Sequence, residues 1–586
     1  MLQAMLLYAP ELIAQDSPFA PMYDEVPVNE DCGSAFIKNL RVAFPDLSEA
    51  DKARLAALDP GIAALLRACE VDRQPTPGAQ AATSSLPGYP QLDLTEEGKA
   101  CVVHYTLTGA DKVANKAYAK LVRANIDAAH SAMTKTLHPP YSDGYAAFDG
   151  KLHVYVRALV GGLNGQWFDN AAVSGNKYAG YLDVSNAIDA NFGNKWKSKL
   201  KGVCYHEYFH GVQSAYNAFS DLALLEGTAV WAGCFYGKDW ANVKSYYDAA
   251  ESVFKTPDEV LWATTYRKYS TSALVFHLTG SFGGPVFLKK YFEKSVANPD
   301  AIQLMTAVIS EEGSSWDVEY RKYLAGMCAK KLGSLSKNQM PDVMHAGSHS
   351  AYGVDPTTGN VHLTGADFYE LVAESGAEVA SLIATFDTSA SNPVGMLLAD
   401  KKFVPISFSG GRAEVKKFGK SVKKVFLVVT DTTYAGKSTA TRSFEYSVVV
   451  PWVKATQITA LSPITAGGIS PIDITFDLSG VYLNQPFPVE VRLTEKSADV
   501  IDQASATYLL DDGLAQVQHF YFYSGGAPGS YKFTFEYRVP SDAWSLEQVK
   551  SKVSCTVKVN PSTAAADSAS PAIHAPGGSV GVAGNL

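Results

Sequence analysis

The spacing of hydrophobic and polar residues predicts different kinds of structure in the two halves of the chain. Between about residues 99 and 335, the runs CVVHYTLTG, LHVYVRAL and YAGYLDVS have the short, β-branched character of strands. Most of this region instead has apolar residues three or four positions apart, which predicts helices. The predicted helices cover about 112–137, 199–217, 222–236, 240–254, 269–281, 285–294, 299–311 and 315–332. Residues 99–335 are therefore predicted to form one α+β unit.

Short apolar runs separated by turns take over from about residue 336. FVPISFSG, KKVFLVVTDT and FEYSVVVPWV fall within 336–455, and FPVEVRLTE, VQHFYFYSGG and SYKFTFEYRV fall within 456–560. Regularly spaced short strands of this kind are typical of β-sandwiches. We therefore predict two all-β sandwich domains in succession.

The two ends of the chain differ in composition from the regions between them. Residues 1–98 combine one helical region, from about Glu49 to Cys69, with the linker QPTPGAQAATSSLPGYPQ, whose composition is that of a flexible chain. We interpret 1–98 as a propeptide-like or accessory segment. The tail 561–586 has few large apolar side chains, which predicts disorder.

Length and charge exclude several classes of protein. The chain has 586 residues and a net charge of −9, without any Lys/Arg-rich tract. This length is too great for a single hydrophobic core, so several domains are expected. The negative charge argues against nucleic acid as a partner. No stretch approaches the ~20 apolar residues that span a bilayer, so no transmembrane segment is predicted. The N-terminus lacks a basic leader, and a signal peptide is therefore not evident.

The pentapeptide His206-Glu207-Tyr208-Phe209-His210 carries the strongest chemical signal. Residues four apart on a helix share one face, so both imidazoles can point at a single metal ion. Glu207 stands close enough to reach a water molecule held by that ion. On a helix, HExxH predicts two zinc ligands and the general base of a metalloprotease, with one catalytic Zn²⁺ as the cofactor.

A catalytic zinc ion usually has a third protein ligand, and Glu226 is the best candidate. It stands sixteen residues after His210 on the next predicted helix, where Gly227 would let the two helices approach closely. Asp221 competes for the role, but as a helix N-cap it would bind backbone donors. Asp239 lies farther along, past a glycine break.

Seven cysteines do not decide the redox compartment, since an odd number leaves at least one thiol free. Cys204 and Cys234 flank the histidine motif. They would form a bridge if their helices pack suitably, or they would remain buried free thiols, and both alternatives stay open.

The segments HEYFHGVQ and LEGTAVWA together resemble the gluzincin clan of zinc metallopeptidases. The closest resemblance is to bacterial extracellular peptidases with an HE-aromatic-Phe-His-x-x-Gln helix and a Glu-Gly-Thr-Ala-x-Trp helix. The likeness continues through SALVFHLTGSFGGPVFLKKYFEKS and covers roughly residues 100–335. It implies a zincin-like catalytic domain, secretion or attachment to the cell surface, and zinc held by His206, His210 and Glu226.

The same resemblance assigns roles to further residues. Glu207 would act as general base and then as general acid. A tyrosine just before SALVFHL would stabilise the oxyanion of the tetrahedral intermediate, with Tyr269 as the first candidate and Tyr266 as the alternative. His277 is predicted to be a packed histidine on the same helix.

Three features depart from the pattern of the clan. The spacer before Glu226 is short, and Gly233 stands where related Trp motifs often carry an acid, so no acid that orients a ligand histidine is identifiable. The Gly-x-Met-Glu-Asn strand of aminopeptidases is also missing. Asp169 is a candidate to replace the missing glutamate, but it is rather predicted as a turn residue beside Asn170. YAGYLDVS is predicted as the edge strand for an extended peptide, which favours an endopeptidase.

We carry three hypotheses forward. The leading one is a secreted or surface zinc endopeptidase that acts on protein or peptide substrates, with sandwiches that bind substrate, glycan or cell wall. The second is a glycoprotein-directed peptidase with glycan-binding sandwiches. The third is a non-catalytic adhesin on a zincin scaffold, which the intact His206-Glu207-x-x-His210 set argues against, because a scaffold has no need of Glu207. Sandwiches that act as mere spacers remain an open alternative.

Overall fold

The computed structural model describes most of residues 89–562, together with residues 47–58 and a few positions between 40 and 66. Gaps within 89–562 fall at 90, 143–149, 160–161, 219–221, 262–266, 296–300, 351–352, 373–380, 388–392, 400–402, 404, 417, 419–420, 434–439, 450–453, 478–486, 497–504, 511–515, 526 and 539–550. Most of the predicted linker, nearly all of the predicted tail, Asp221 and Tyr266 lie outside the described residues.

A mixed sheet forms one layer of the first unit. Its strands are β1 (Leu94–Glu97), β2 (Cys101–Tyr105), β3 (Tyr141–Ser142), β4 (Leu152–Arg157), β5 (Gly165–Ser174) and β6 (Lys177–Ser185). Strands β2, β4, β6 and β3 pair in parallel, whereas β1 and β5 are antiparallel to their neighbours. The prediction that YAGYLDVS is the edge strand is wrong. That segment is β6, which pairs with β3 and β4 as well as β5, whereas β5 pairs with β6 alone among the described residues.

Most of the helices that the structure describes lie near the positions that the sequence predicts, before, between and after the strands of the sheet. They are α1 (Glu49–Leu58), α2 (Lys116–Met133), α3 (Ile188–Phe192), α4 (Trp196–Asn217), α5 (Leu222–Phe235), α6 (Trp240–Asp248), α7 (Arg267–Ser270), α8 (Ser272–Ser281), α9 (Pro285–Ser295), α10 (Ala301–Glu311) and α11 (Trp316–Ala329). α4 packs against β5 and β6 on one side and against α2 and α5 on others. From residue 202 to 217 every residue of α4 is buried, so the histidine motif lies inside the unit.

The N-terminal segment covers the opposite face of the sheet. Side chains that alternate to this face include Tyr155 of β4, Phe168 of β5 and Tyr181 of β6. They form one buried cluster with Leu40, Phe44, Leu47, Leu55, Ile62, Leu65, Leu66, Tyr89 and Leu92. The accessory segment therefore stabilises the sheet by burying apolar surface against it.

Two histidines on the same face predict acid sensitivity. His104 of β2 and His153 of β4 stack with ring centroids 5.0 Å apart, and Nε2 of the first lies 2.8 Å from Nδ1 of the second. Burial lowers the pKa of each to about 4, below the ordinary 6.5. Between these pH values the unfolded chain binds more protons than the native protein, so stability falls as the pH drops from about 6.5 to 4.

We expect the His104→Gln/His153→Gln variant to lose less stability over this range. The measurement is the urea midpoint at pH 7.5, 6 and 5 for both proteins, comparing slopes rather than absolute values. Equally steep acid destabilisation in the two proteins would show that other groups are responsible.

Two further sheets form the first sandwich. The strands are β7 (Gly347–Ser350), β8 (Gly353–His362), β9 (Ala366–Val372), β10 (Ser381–Asp387), β11 (Val394–Ala399), β12 (Pro405–Ser407), β13 (Arg412–Lys416), β14 (Lys424–Thr430) and β15 (Thr441–Val449). One sheet has the order β13-β10-β15-β8 and the other β12-β11-β14-β9-β7. Several of these, such as β8 and β9, lie in stretches that the sequence analysis did not single out as strands.

The sheet that contains β9, β11 and β14 is buried on both faces. On β14, Leu427 and Val429 face the core of the sandwich, whereas Phe426 and Val428 belong to the core of the helical unit. Strands covered on both faces are continuously apolar, as KVFLVV is. Trp316 Nε1 also donates to the carbonyl oxygen of Thr432 at 3.2 Å, so the first sandwich and the helices share one core.

The second sandwich has a hydrophobic cluster of its own. Its strands are β16 (Lys454–Ala460), β17 (Ile464–Thr465), β18 (Ile469–Asp477), β19 (Phe487–Lys496), β20 (Ser505–Leu510), β21 (Gln516–Tyr523), β22 (Gly529–Arg538) and β23 (Ser551–Asn560), in sheets β16-β18-β21 and β17-β23-β22-β19-β20. In the part of the chain that the structure describes, no helix is both long and apolar enough to cross a membrane. The chain is thus multidomain, with mixed α and β structure followed by β-sandwich content.

Candidate metal centre

The two motif histidines converge because they lie one helical turn apart on α4. Their Nε2 atoms are 3.1 Å from each other, and the ring planes are nearly perpendicular at 81°. His210 is fully buried and His206 is 8% exposed. Burying two imidazole nitrogens at this separation costs free energy unless they share a proton or a cation.

Glu226 of α5 completes a triangle with these nitrogens. Its Oε2 lies 3.3 Å from Nε2 of His206 and 3.5 Å from Nε2 of His210. The carboxylate is 0% exposed, and burial alone would raise its pKa. The neighbouring histidines outweigh burial and hold the pKa of Glu226 well below its ordinary value, so the group is an anion.

Glu207 lies beside the triangle, buried at 1% exposure. The donor atoms of His206, Glu207 and His210 all lie within 4.8 Å of one another, and this buried group could hold a metal ion. A Cβ on Gly165, the first residue of the edge strand β5, would stand 2.6 Å from Cγ of Glu207. Glycine at that position therefore lets the sheet edge approach the Glu207 side chain.

Gln213 is a site residue whose role the sequence pattern did not indicate. Its Nε2 donates to the carbonyl oxygen of Leu225 at 2.8 Å and to Oγ1 of Thr228 at 2.7 Å. The amide oxygen must then face His210, whose Nδ1 lies 2.7 Å away and donates to it. With the proton on Nδ1, the lone pair of His210 Nε2 points into the triangle. The signal was present in the sequence as the glutamine of HEYFHGVQ.

Gly227 has a different role from the predicted one. A Cβ on Gly227 would lie 2.3 Å from Oγ1 of Thr271, so the glycine permits close contact with the α7–α8 junction rather than with α4. α4 and α5 instead meet at Gly233, where a Cβ would stand 3.5 Å from the carbonyl oxygen of Gly202. The position of Glu226 therefore depends on contacts along both helices.

Trp167 fixes α4 against the sheet. Its ring fills the space that a side chain on Gly211 or Gly180 would need, with carbon atoms 2.6 Å from each missing Cβ. Its Nε1 donates to Oδ1 of Asp169 at 2.8 Å. Asp169 is thus a buried acceptor within β5, and its prediction as a turn residue is wrong.

Of the two tyrosines proposed to bind the oxyanion, the structure describes only Tyr269. Tyr269 of α7 is 1% exposed and stacks on Tyr246, with ring centroids 4.9 Å apart and planes 14° from parallel. Tyr266 lies outside the described residues. His277 pairs with Glu319 of α11, with Nε2 and Oε2 3.2 Å apart, on a neighbouring helix. The role of Tyr269 at the oxyanion stays a prediction.

A cleft opens beside the triangle, lined by residues of α4, α5 and α6 and by the turn between α5 and α6. His206 and Glu207 line it, as does Tyr246 of α6. Lys199 and Asp239, both nearly buried, add one charge of each sign. Tyr246, Asn242 and Lys199 are cleft residues that the sequence did not single out, because the cleft forms only where α6, packed on α5, comes near α4.

Both cysteines that flank the motif are buried free thiols. α4 and α5 pack together, yet Cys204 and Cys234 form no bond, and Cys234 Sγ instead donates to the carbonyl oxygen of Asp239 at 3.3 Å. Of the two alternatives left open by the sequence, the structure shows the second.

No protein-family model matches the chain, and no curated protein matches it either. Weak likenesses to solved structures exist. A periplasmic inhibitor of g-type lysozyme from Aeromonas hydrophila is 11% identical over 18% of this chain and 96% of its own, with a TM-score of 0.15. A GH2 beta-galacturonidase from Eisenbergiella tayi is 11% identical over 34% of this chain and 35% of its own, with a TM-score of 0.15. The CfaE adhesin of enterotoxigenic E. coli is 10% identical over 37% of this chain and 99% of its own, with a TM-score of 0.14. Likenesses this weak say nothing about function.

Proposed function

We propose that the chain is a zinc-dependent metallopeptidase with a zincin-like domain of the gluzincin type. The observation that carries the proposal is the triangle of His206 Nε2, His210 Nε2 and Glu226 Oε2, with sides of 3.1, 3.3 and 3.5 Å. Ligand atoms about 2.0–2.1 Å from a tetrahedral zinc ion stand roughly 3.3–3.4 Å apart. The three side chains therefore fit zinc, and such a three-ligand set leaves a fourth position for the reaction.

Glu207 performs the proton transfers in this proposal. Bound in the triangle, zinc would supply Lewis acidity, which lowers the pKa of water and polarises a carbonyl group. The Glu207 carboxylate lies next to the ligand atoms, so it can accept a proton from the attacking water and deliver it to the departing amine nitrogen. We keep Tyr269 and Tyr266 as candidate donors to the oxyanion and add Tyr246, because its ring lines the cleft.

An endopeptidase is favoured over an aminopeptidase for two reasons. The chain lacks the glutamate of the Gly-x-Met-Glu-Asn strand that binds a free amine in aminopeptidases of the clan. The edge strand β5 begins beside Glu207, where an extended peptide could pair with a strand edge. The resemblance to bacterial extracellular peptidases supports a secreted or surface location, with protein or peptide as substrate and a glycan or cell-surface ligand as a further partner for the sandwiches.

Digestion of a peptide library tests this function. We expect cuts at internal positions, which stop when a chelator is added and return when zinc is restored. Mass spectrometry of the products identifies the cut sites. Stepwise loss of residues from the N-terminus would overturn the assignment as an endopeptidase. Cleavage that continues unchanged in the chelator would overturn the metallopeptidase.

A further inference from the structure

Gly233 leaves no acid at the position where related motifs carry one, and the structure points to a replacement. Asp239 follows α5 in sequence and is brought back against α4 by a tight turn, in which Lys238 adopts a φ of 65°. The backbone N–H of Asp239 donates to the carbonyl oxygen of Gly233 at 3.3 Å. Its side chain is only 6% exposed and lines the same cleft as His206.

The Asp239 carboxylate rests directly on α4, one turn before His206. A Cβ on Gly202 would stand 2.0 Å from Oδ2 of Asp239, so only glycine leaves room for the carboxylate there. Helical side chains lean toward the N-terminus and cover the preceding turn. The His206 ring therefore extends over the turn that carries Gly202, toward the carboxylate.

The two nitrogens of His206 face different groups. Nε2 belongs to the triangle with His210 and Glu226, which leaves Nδ1 for the side of the ring away from it. Metal-binding histidines usually donate their second N–H to a carboxylate or a carbonyl group. The backbone near Gly233 is also close, since its missing Cβ would lie 3.7 Å from Cβ of His206. Asn242 Nδ2 donates to Oδ2 of Asp239 and holds the carboxylate in place.

We propose that Asp239 is the positioning residue for His206, accepting a hydrogen bond from Nδ1–H as Gln213 does for His210. The inference rests on the proposed zinc site. It gives each ligand histidine its own partner, an amide for His210 and a carboxylate for His206. Gly202 then provides the space that the carboxylate occupies. Asp239 lies outside the Trp motif, yet it has the role of the acid that related motifs carry at the Gly233 position.

The test measures zinc affinity by competition with a chelator, using the full chain. We expect Asp239→Asn to weaken zinc binding about 10- to 100-fold, the usual effect of losing such a partner. It should also shift the visible spectrum of the cobalt-substituted protein, which reports ligand geometry. Asp248→Asn at the C-terminal end of α6, where an exposed aspartate pairs with Lys244, is the matched control and should leave both unchanged.

Gly202→Ala provides a second, independent variant. Alanine favours a helix more than glycine does, whereas its Cβ displaces the Asp239 carboxylate. Circular dichroism establishes that the variant is folded. We expect it to weaken zinc binding as Asp239→Asn does, with no further loss in the double variant. Unchanged zinc affinity in both single variants would overturn the inference. If KM for cationic peptides rises at unchanged zinc affinity, Asp239 contacts the substrate rather than His206, and the inference is likewise wrong. If the unsubstituted chain binds no zinc, both the proposed function and this inference are wrong.

Discussion

Replacing Glu207 with glutamine is expected to lower kcat/KM for peptide hydrolysis about 1000-fold while zinc remains bound. Glutamine keeps the shape of the side chain but cannot accept the proton of the attacking water, and general acid–base catalysis typically contributes 10²- to 10⁴-fold. The ligand triangle of His206, His210 and Glu226 does not include Glu207, so its geometry should persist. The measurement combines steady-state kinetics on a cleaved library peptide with elemental analysis of zinc.

Glu251→Gln is the matched control, since Glu251 is exposed and stands outside the cleft. It should leave both readouts at the values of the unsubstituted chain. Retained hydrolysis in Glu207→Gln would contradict the assignment of the general base. Loss of zinc in the same variant would show that Glu207 is a ligand rather than a base.

A chain that ends at residue 335 is expected not to fold cooperatively, although the sequence predicts a complete unit there. Truncation removes one wall of the core around α11, formed by Phe368, Met396, Leu398, Phe426 and Val428. Burial of such side chains contributes about 1.5–3 kcal/mol each, on the order of 10 kcal/mol in sum. That sum is comparable with the entire stability of a typical domain, about 5–15 kcal/mol.

Circular dichroism during thermal unfolding is the measurement. The control is a chain that ends at residue 453, which keeps the first sandwich and removes only the second, whose hydrophobic cluster is its own. We expect this longer chain to unfold in a sharp transition. A sharp transition of the shorter chain at the same temperature would mean that the first sandwich is a spacer.

The convergence of His206 and His210 could be predicted because helical periodicity alone places residues four apart on one face. Glu226 required more, since its approach depends on how α5 packs, and the resemblance to a clan supplied that information. The structure brings its Oε2 within 3.5 Å of both nitrogens. Gln213 was visible in the same motif, but its role appears only through its contacts with α5.

Tertiary packing explains what the sequence pattern missed. GQWFDNAAVS contains Gly, Asp and Asn, which favour turns, yet it forms strand β5 because Trp167 packs into the space left by Gly180 and Gly211. The sandwich strands were recognised from their spacing. The spacing could not show that Phe426 and Val428 face helices while Leu427 and Val429 face a second sheet. The position of Asp239 likewise depends on a turn after α5.

The zinc content of protein purified without chelators is the most direct test of the central claim. We predict one zinc ion per chain in the unsubstituted protein, and much less in Glu226→Ala, which loses one corner of the triangle. Elemental analysis of both proteins, purified side by side, gives the answer. A chain without zinc, or a Glu226→Ala variant with a full complement, would contradict the account of His206, His210 and Glu226 as a zinc site.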